Sequence, residues 1–147
     1  MSTDRGKPVD FDIIDEPWLK YQLQDNTVLK TRYLLTRLYK KMQDGKATYN
    51  FDGQTMTIAL VPSDLIGPKD NARYSPQELS NSVIRDEVNY KTISEDWNEY
   101  YAYDGAKVRL KMTVTGVKKT SKFDNNGEPI YLVENNAMVQ VRPPKLD

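Results

Sequence analysis

The residues with the most chemistry to offer are cationic, and they sit among aromatics. From Thr27 to Lys41 the chain carries Lys30, Arg32, Arg37, Lys40 and Lys41 with no acidic residue. From Ala106 to Lys122 it carries Lys107, Arg109, Lys111, Lys118, Lys119 and Lys122, again with none. Beside Trp97, Tyr101 and Tyr103, such ladders suit a nucleic acid or another polyanion, because cations hold phosphates while aromatic faces stack bases. The plainer reading is a solvated strand face with acidic neighbours. Asp86, Glu87, Glu95, Asp96, Glu99 and Asp104 all fall within residues 86–104, against Lys91 alone. Opposite charges facing each other across strands contribute roughly 0.2–1 kcal/mol per pair. The plainer reading is the stronger, and Lys30, Arg32, Arg109 and Lys111 stand as the candidate polyanion contacts.

Two other patterns invite a chemical reading. Glu16 and Trp18 in "IDEPW" recur as Glu95 and Trp97 in "ISEDW". The pair of carboxylates is a candidate for joint work. An architectural role is favoured, with Ile and Trp anchored in the core and Glu facing water. In "KFDNNGEPIY", Asp124, Asn125, Asn126 and Glu128 are oxygen-bearing, but they lack the spacing of a calcium loop. Asn126–Gly127 instead marks a hairpin turn.

The composition removes whole classes of mechanism. Histidine and cysteine are absent, so Ser-His-Asp and Cys-His nucleophiles, His-ligated zinc and thiolate metal sites are excluded. No Gly-rich phosphate loop or dinucleotide fingerprint is present. No catalytic residue, cofactor or metal is expected, and an enzyme is the less favoured outcome. Lys plus Arg equals Asp plus Glu at 21 each, so net charge supplies no long-range pull on a polyanion. No apolar run approaches the ~18 residues of a membrane span and the start lacks a signal-peptide core. The expectation is a soluble cytoplasmic protein without a membrane partner.

The elements that must position these residues repeat. Val9 to Lys40 aligns with Val88 to Lys119 at a constant offset, with identities at Val9/Val88, Ile14/Ile93, Glu16/Glu95, Trp18/Trp97, Tyr21/Tyr100, Asp25/Asp104, Thr36/Thr115 and Lys40/Lys119. After a longer loop in the second copy, Gly45, Tyr49, Met56 and Pro62 match Gly127, Tyr131, Met138 and Pro144. The 147 residues therefore divide into one repeat at 9–62, a connection at 63–87 and a second repeat at 88–144, within one domain spanning 1–147. In the connection, Ser75, Pro76 and Glu78 spell a capping box opening a helix over about 76–87.

Each repeat reads as three or four strands. A three-residue loop at Asp25–Thr27 pairs Tyr21 with Thr31, and the same loop at Asp104–Ala106 pairs Tyr100 with Leu110. Leu29, Thr31, Tyr33 and Leu35 then face inward, while Lys30 and Arg32 face out. A single meander has one apolar face and needs a cover, so two copies should face each other as a pseudo-twofold barrel or sandwich. The fold class is all-β, mainly antiparallel, with one short helix.

Strand parity places Leu34 and Leu38 on the outward side with the cations. That makes them candidate contacts for a protein partner or a second copy. The favoured function is a non-catalytic β-domain acting as an oligomerising or accessory subunit. The alternatives are polyanion binding through the basic strands and an enzyme or small-ligand site between the repeats.

Overall fold

The computed structural model describes residues 5–144. In chain order the strands are β1 (Lys7–Pro8), β2 (Phe11–Asp15), β3 (Leu19–Leu23), β4 (Val28–Gln43) and β5 (Lys46–Leu60). A 3₁₀ turn (Ser63–Leu65) and helix α1 (Pro76–Asn81) come next. The remaining strands are β6 (Val83–Arg85), β7 (Tyr90–Ser94), β8 (Asn98–Ala102), β9 (Lys107–Phe123) and β10 (Pro129–Arg142). The pairings make two five-stranded antiparallel sheets that do not close into a barrel. Sheet one runs β5–β4–β3–β7, with β1 on the far end of β4 beyond β3. Sheet two runs β10–β9–β8–β2, with β6 on the far end of β9.

The first strand of each half does not stay in its own meander. β2 pairs with β8, and β7 pairs with β3. The inward faces then merge into one core that joins Leu19, Tyr21 and Leu29 of sheet one to Tyr100, Val108 and Leu110 of sheet two. Alternation produces this directly, because β3 and β8 both read buried–exposed–buried along their length.

The β3–β4 and β8–β9 hairpins have the expected three-residue loops, but one residue earlier in the chain. Leu23 N–H bonds the Thr27 carbonyl at 2.8 Å and Ala102 N–H bonds the Ala106 carbonyl at 2.8 Å. Tyr21 consequently faces Leu29, not Thr31, and Tyr100 faces Val108. A shift of two residues preserves which side faces in, so Leu29, Thr31 and Leu35 are buried. The cause lies in the turn. Asn26 (φ 71°) and Gly105 (φ 93°) take the left-handed position that closes such loops. Asp25 and Asp104 sit one place earlier and accept the N–H of Thr27 and Ala106 at 3.0 and 2.9 Å.

A β-bulge changes the fate of Leu38. Leu35 lies opposite Gly53 and Arg37 opposite Asp52, leaving Thr36 as the extra residue. Its hydroxyl donates to the Asp52 carbonyl at 3.1 Å. The inserted residue reverses side-chain parity along the rest of β4, so Leu38 points inward and is only 2 % exposed. It is therefore a core residue, not the outward neighbour of Leu34 expected from strict alternation; Leu34 itself is half-buried. The same bulge falls at Thr115, between Val114 and Gly116, and sends Val117 into the core.

The capping box forms as expected. Ser75 Oγ accepts the Glu78 N–H at 3.1 Å, and Glu78 Oε1 accepts the Ser75 N–H at 3.3 Å. The helix stops at Asn81, short of the expected 87. Val83 to Arg85 pairs with β9 instead, because β-branched Val83 and Ile84 suit the strand pleat better than another helical turn. Asp124 caps its own turn, accepting the N–H of Asn126 and Glu128 at 2.9 Å each, with Gly127 left-handed.

The bulge yields a direct test. Leu38→Ala should cost about 2–5 kcal/mol as a core truncation, and Leu34→Ala well under half of that. Urea unfolding of the two variants measures the difference; equal costs would place the bulge elsewhere.

Candidate functional site

The Glu-x-Trp pair is arranged opposite to expectation. Glu16 is buried at 8 % exposure, and Ile14 and Ile93 are exposed. Glu16 Oε2 accepts the Tyr100 hydroxyl at 2.6 Å and the Leu35 N–H at 2.9 Å. Glu95 Oε2 accepts the Tyr21 hydroxyl at 2.6 Å. Each carboxylate is thus held by a tyrosine of the opposite half, and burial followed by that carboxylate pushes the Tyr100 and Tyr21 hydroxyls well above the usual tyrosine range. Trp18 and Trp97 lie half-buried on the outer faces instead. An acidic residue goes inside here because a tyrosine donor meets it there.

The tryptophans collect the four sequence-predicted cations. Lys30 Nζ lies 4.8 Å and the Arg32 guanidinium 5.8 Å from the Trp18 ring centroid. Arg109 and Lys111 lie 4.4 and 5.8 Å from Trp97. Three of the four also approach a carboxylate: Arg32–Glu16 at 3.9 Å, Arg109–Glu99 at 3.6 Å and Lys111–Glu95 at 3.7 Å. Trp18 and Trp97 each bring their own pair of cations together, one pair on the outside of each sheet. Three of these cations make long ion pairs worth at most about 1 kcal/mol each, and the buried Nε atoms of Arg32 and Arg109 have no hydrogen-bond partner among the described residues.

A second set of carboxylates ties the sheets together at their hairpin turns. Asp104 accepts the Tyr49 hydroxyl at 2.7 Å and pairs with Lys40 at 3.0 Å. Asp25 accepts the Tyr131 hydroxyl at 2.5 Å and pairs with Lys119 at 3.2 Å. In both cases a turn of one sheet is gripped by the long hairpin of the other. Burial alone would raise both carboxyls, but their hydrogen bonds and the adjacent lysines outweigh it and hold Asp25 and Asp104 below the usual carboxylate range.

One open concavity lies on the outside of sheet two. A groove of about 470 Å³ crosses all four main strands and is lined by Ile14, Tyr101, Lys107, Arg109, Gln140 and Arg142. Tyr101 faces Lys107, and Lys107 faces Arg142, in one cross-strand row. The next row is Glu99, Arg109 and Gln140. Tyr101, Lys107 and Arg142 continue into a neighbouring concavity bounded by Pro143 and Pro144. Lys107 and Arg142 line this groove, and the basic-ladder pattern did not single them out. Following the cross-strand register would have found them, since it places two cations side by side.

Among the described residues no group of three or more acidic side chains is placed to hold a metal ion, and no helix is long and apolar enough to cross a membrane. Searches against protein-family models, curated proteins and solved structures find no match.

The depressed carboxyls set a pH window. Unfolded aspartates titrate near 3.9, so Asp25 and Asp104 contribute stability above about pH 4 that is lost as the pH falls through their lower folded values. Acid titration of Asp25→Asn/Asp104→Asn should show a flatter decline of stability below pH 4 than the parent. An unchanged slope would mean that other groups carry the acid sensitivity.

Proposed function

We propose that this protein is a non-catalytic, soluble cytoplasmic β-domain that works through protein contacts, as an oligomerising or accessory subunit, and that it self-associates along β5. The observation that supports this most is the open edge of sheet one. β5 is fifteen residues long, from Lys46 to Leu60, and among the described residues is paired only with β4. On its outer face Met56, Ile58 and Leu60 alternate at 47 %, 39 % and 54 % exposure. Unpaired backbone groups beside a flat apolar stripe form a template for another strand.

We also infer that residues 9–62 and 88–144 are copies of one unit. Their tyrosine-bound carboxylates, tyrosines, bulges and Trp–cation stacks fall at corresponding positions. A duplicated body with two similar faces is a natural source of self-complementary contacts.

The polyanion reading of Lys30, Arg32, Arg109 and Lys111 has less support, since those cations lie over tryptophans and mostly beside carboxylates. A ligand site between the repeats also has less support, because apolar side chains fill that space.

Light scattering should give the parent a mass of two chains or more, and Ile58→Lys the mass of one chain with unchanged circular dichroism. A parent that stays monomeric across micromolar to millimolar concentration would overturn the reading.

A further inference from the structure

The two outer faces occupy corresponding places in the fold yet differ in one row of residues. In sheet one the row across β7, β3, β4 and β5 is Lys91, Gln22, Val28 and Leu60. In sheet two the same row, across β2, β8, β9 and β10, is Asp12, Tyr101, Lys107 and Arg142. Two neutral apolar neighbours have become two cations, and a glutamine has become a tyrosine that is 44 % exposed.

Like charges directly opposite on adjacent strands are destabilising. Where cations face each other on other strands of the described residues, one member has a carboxylate or an aromatic face: Lys40, which faces Lys7, has Asp104, and Lys119, which faces Arg85, has Asp25. Lys30, which faces Lys20, lies over the Trp18 ring. Lys107 and Arg142 have no carboxylate in ion-pair range among the described residues. Arg109, in the next row, has Glu99 at 3.6 Å. This unrelieved pair lines a groove of about 470 Å³ with the exposed ring of Tyr101 on one side and Ile14 in its wall.

An anion with oxygens spread over two positions suits an arginine fork beside a lysine, and phosphate has that form. A planar apolar group attached to it finds Tyr101 to stack on. The acidic groups around this row, Asp12 on β2, Glu99 on β8 and Asp104 in the β8–β9 turn, restrict the favourable field to a short stretch. They disfavour a duplex or a long uniform polyanion. We propose that the outer groove of sheet two binds a nucleotide unit, with its phosphate between Lys107 and Arg142 and its base against Tyr101. The unit is either a free mononucleotide or part of a single strand. The inference is independent of self-association through β5, which lies in the other sheet.

Calorimetric titration of the full chain at low salt tests this with uridine monophosphate, a short oligothymidylate and polyglutamate as probes. Saturable binding of the first or second is expected, weakened about tenfold or more in Lys107→Gln and in Arg142→Gln, with a smaller loss in Tyr101→Ala. Each lysine or arginine removed should reduce the salt slope for the oligonucleotide by about 0.7. Tight oligothymidylate binding with weak monophosphate binding assigns a strand; comparable affinities assign a free nucleotide. Absence of binding to both, binding unchanged in the variants, or polyglutamate binding as tight as oligothymidylate would overturn the proposal. Thermal unfolding without ligand is a second check, because removing either cation should raise the midpoint; a lowered midpoint in both variants would remove the argument from unrelieved charge.

Discussion

β2 leaves its own half to pair with β8, and β7 leaves its own half to pair with β3. Neither sheet is complete without a strand from the other half, so the two apolar faces are closed in a single step. The polar contacts of the interior depend on the same exchange. β2 leads directly into Glu16, which meets Tyr100, and β7 leads into Glu95, which meets Tyr21. Gln24 N–H bonds the Asn89 carbonyl at 2.9 Å, and Tyr103 N–H bonds the Asp10 carbonyl at 2.8 Å, fastening each exchanged strand at its outer end. Buried carboxylates are costly unless hydrogen-bonded. Here the exchange brings the donors that satisfy them.

With the interior committed in this way, the surfaces become the variable part of the molecule. The bulges at Thr36 and Thr115 turn the long strands so that their second halves keep feeding the core with Leu38 and Val117. The outer faces are freed from packing duty beyond the two tryptophan platforms. One has an apolar stripe on an open edge, and the other has a cationic groove with an exposed tyrosine.

Much of the construction was legible in the chain itself. Strand type, the odd hairpin loops, the capping box at Ser75 and the turn at Asn126–Gly127 all rest on short-range rules, and local rules survive folding. Four features were not legible, each for a physical reason. Strand exchange leaves no trace in alternation, because β2 has the same pattern whichever sheet it joins. The burial of Glu16 reverses ordinary polarity, since its hydrogen-bond donor Tyr100 is remote in sequence. The inward turn of Leu38 depends on a bulge, and a single inserted residue inverts every side chain beyond it in the strand. The groove residues Lys107 and Arg142 were hidden for a related reason: their adjacency exists only in the cross-strand register.

The exchange carries the account, and dissecting the chain tests it most directly. Residues 1–74 and 75–147, produced separately, should each lack cooperative unfolding and near-ultraviolet dichroism, because each lacks the strand that completes its sheet. Mixed together, they should recover both signals in a one-to-one complex. Either half folding cooperatively as a monomer on its own would contradict the exchanged architecture.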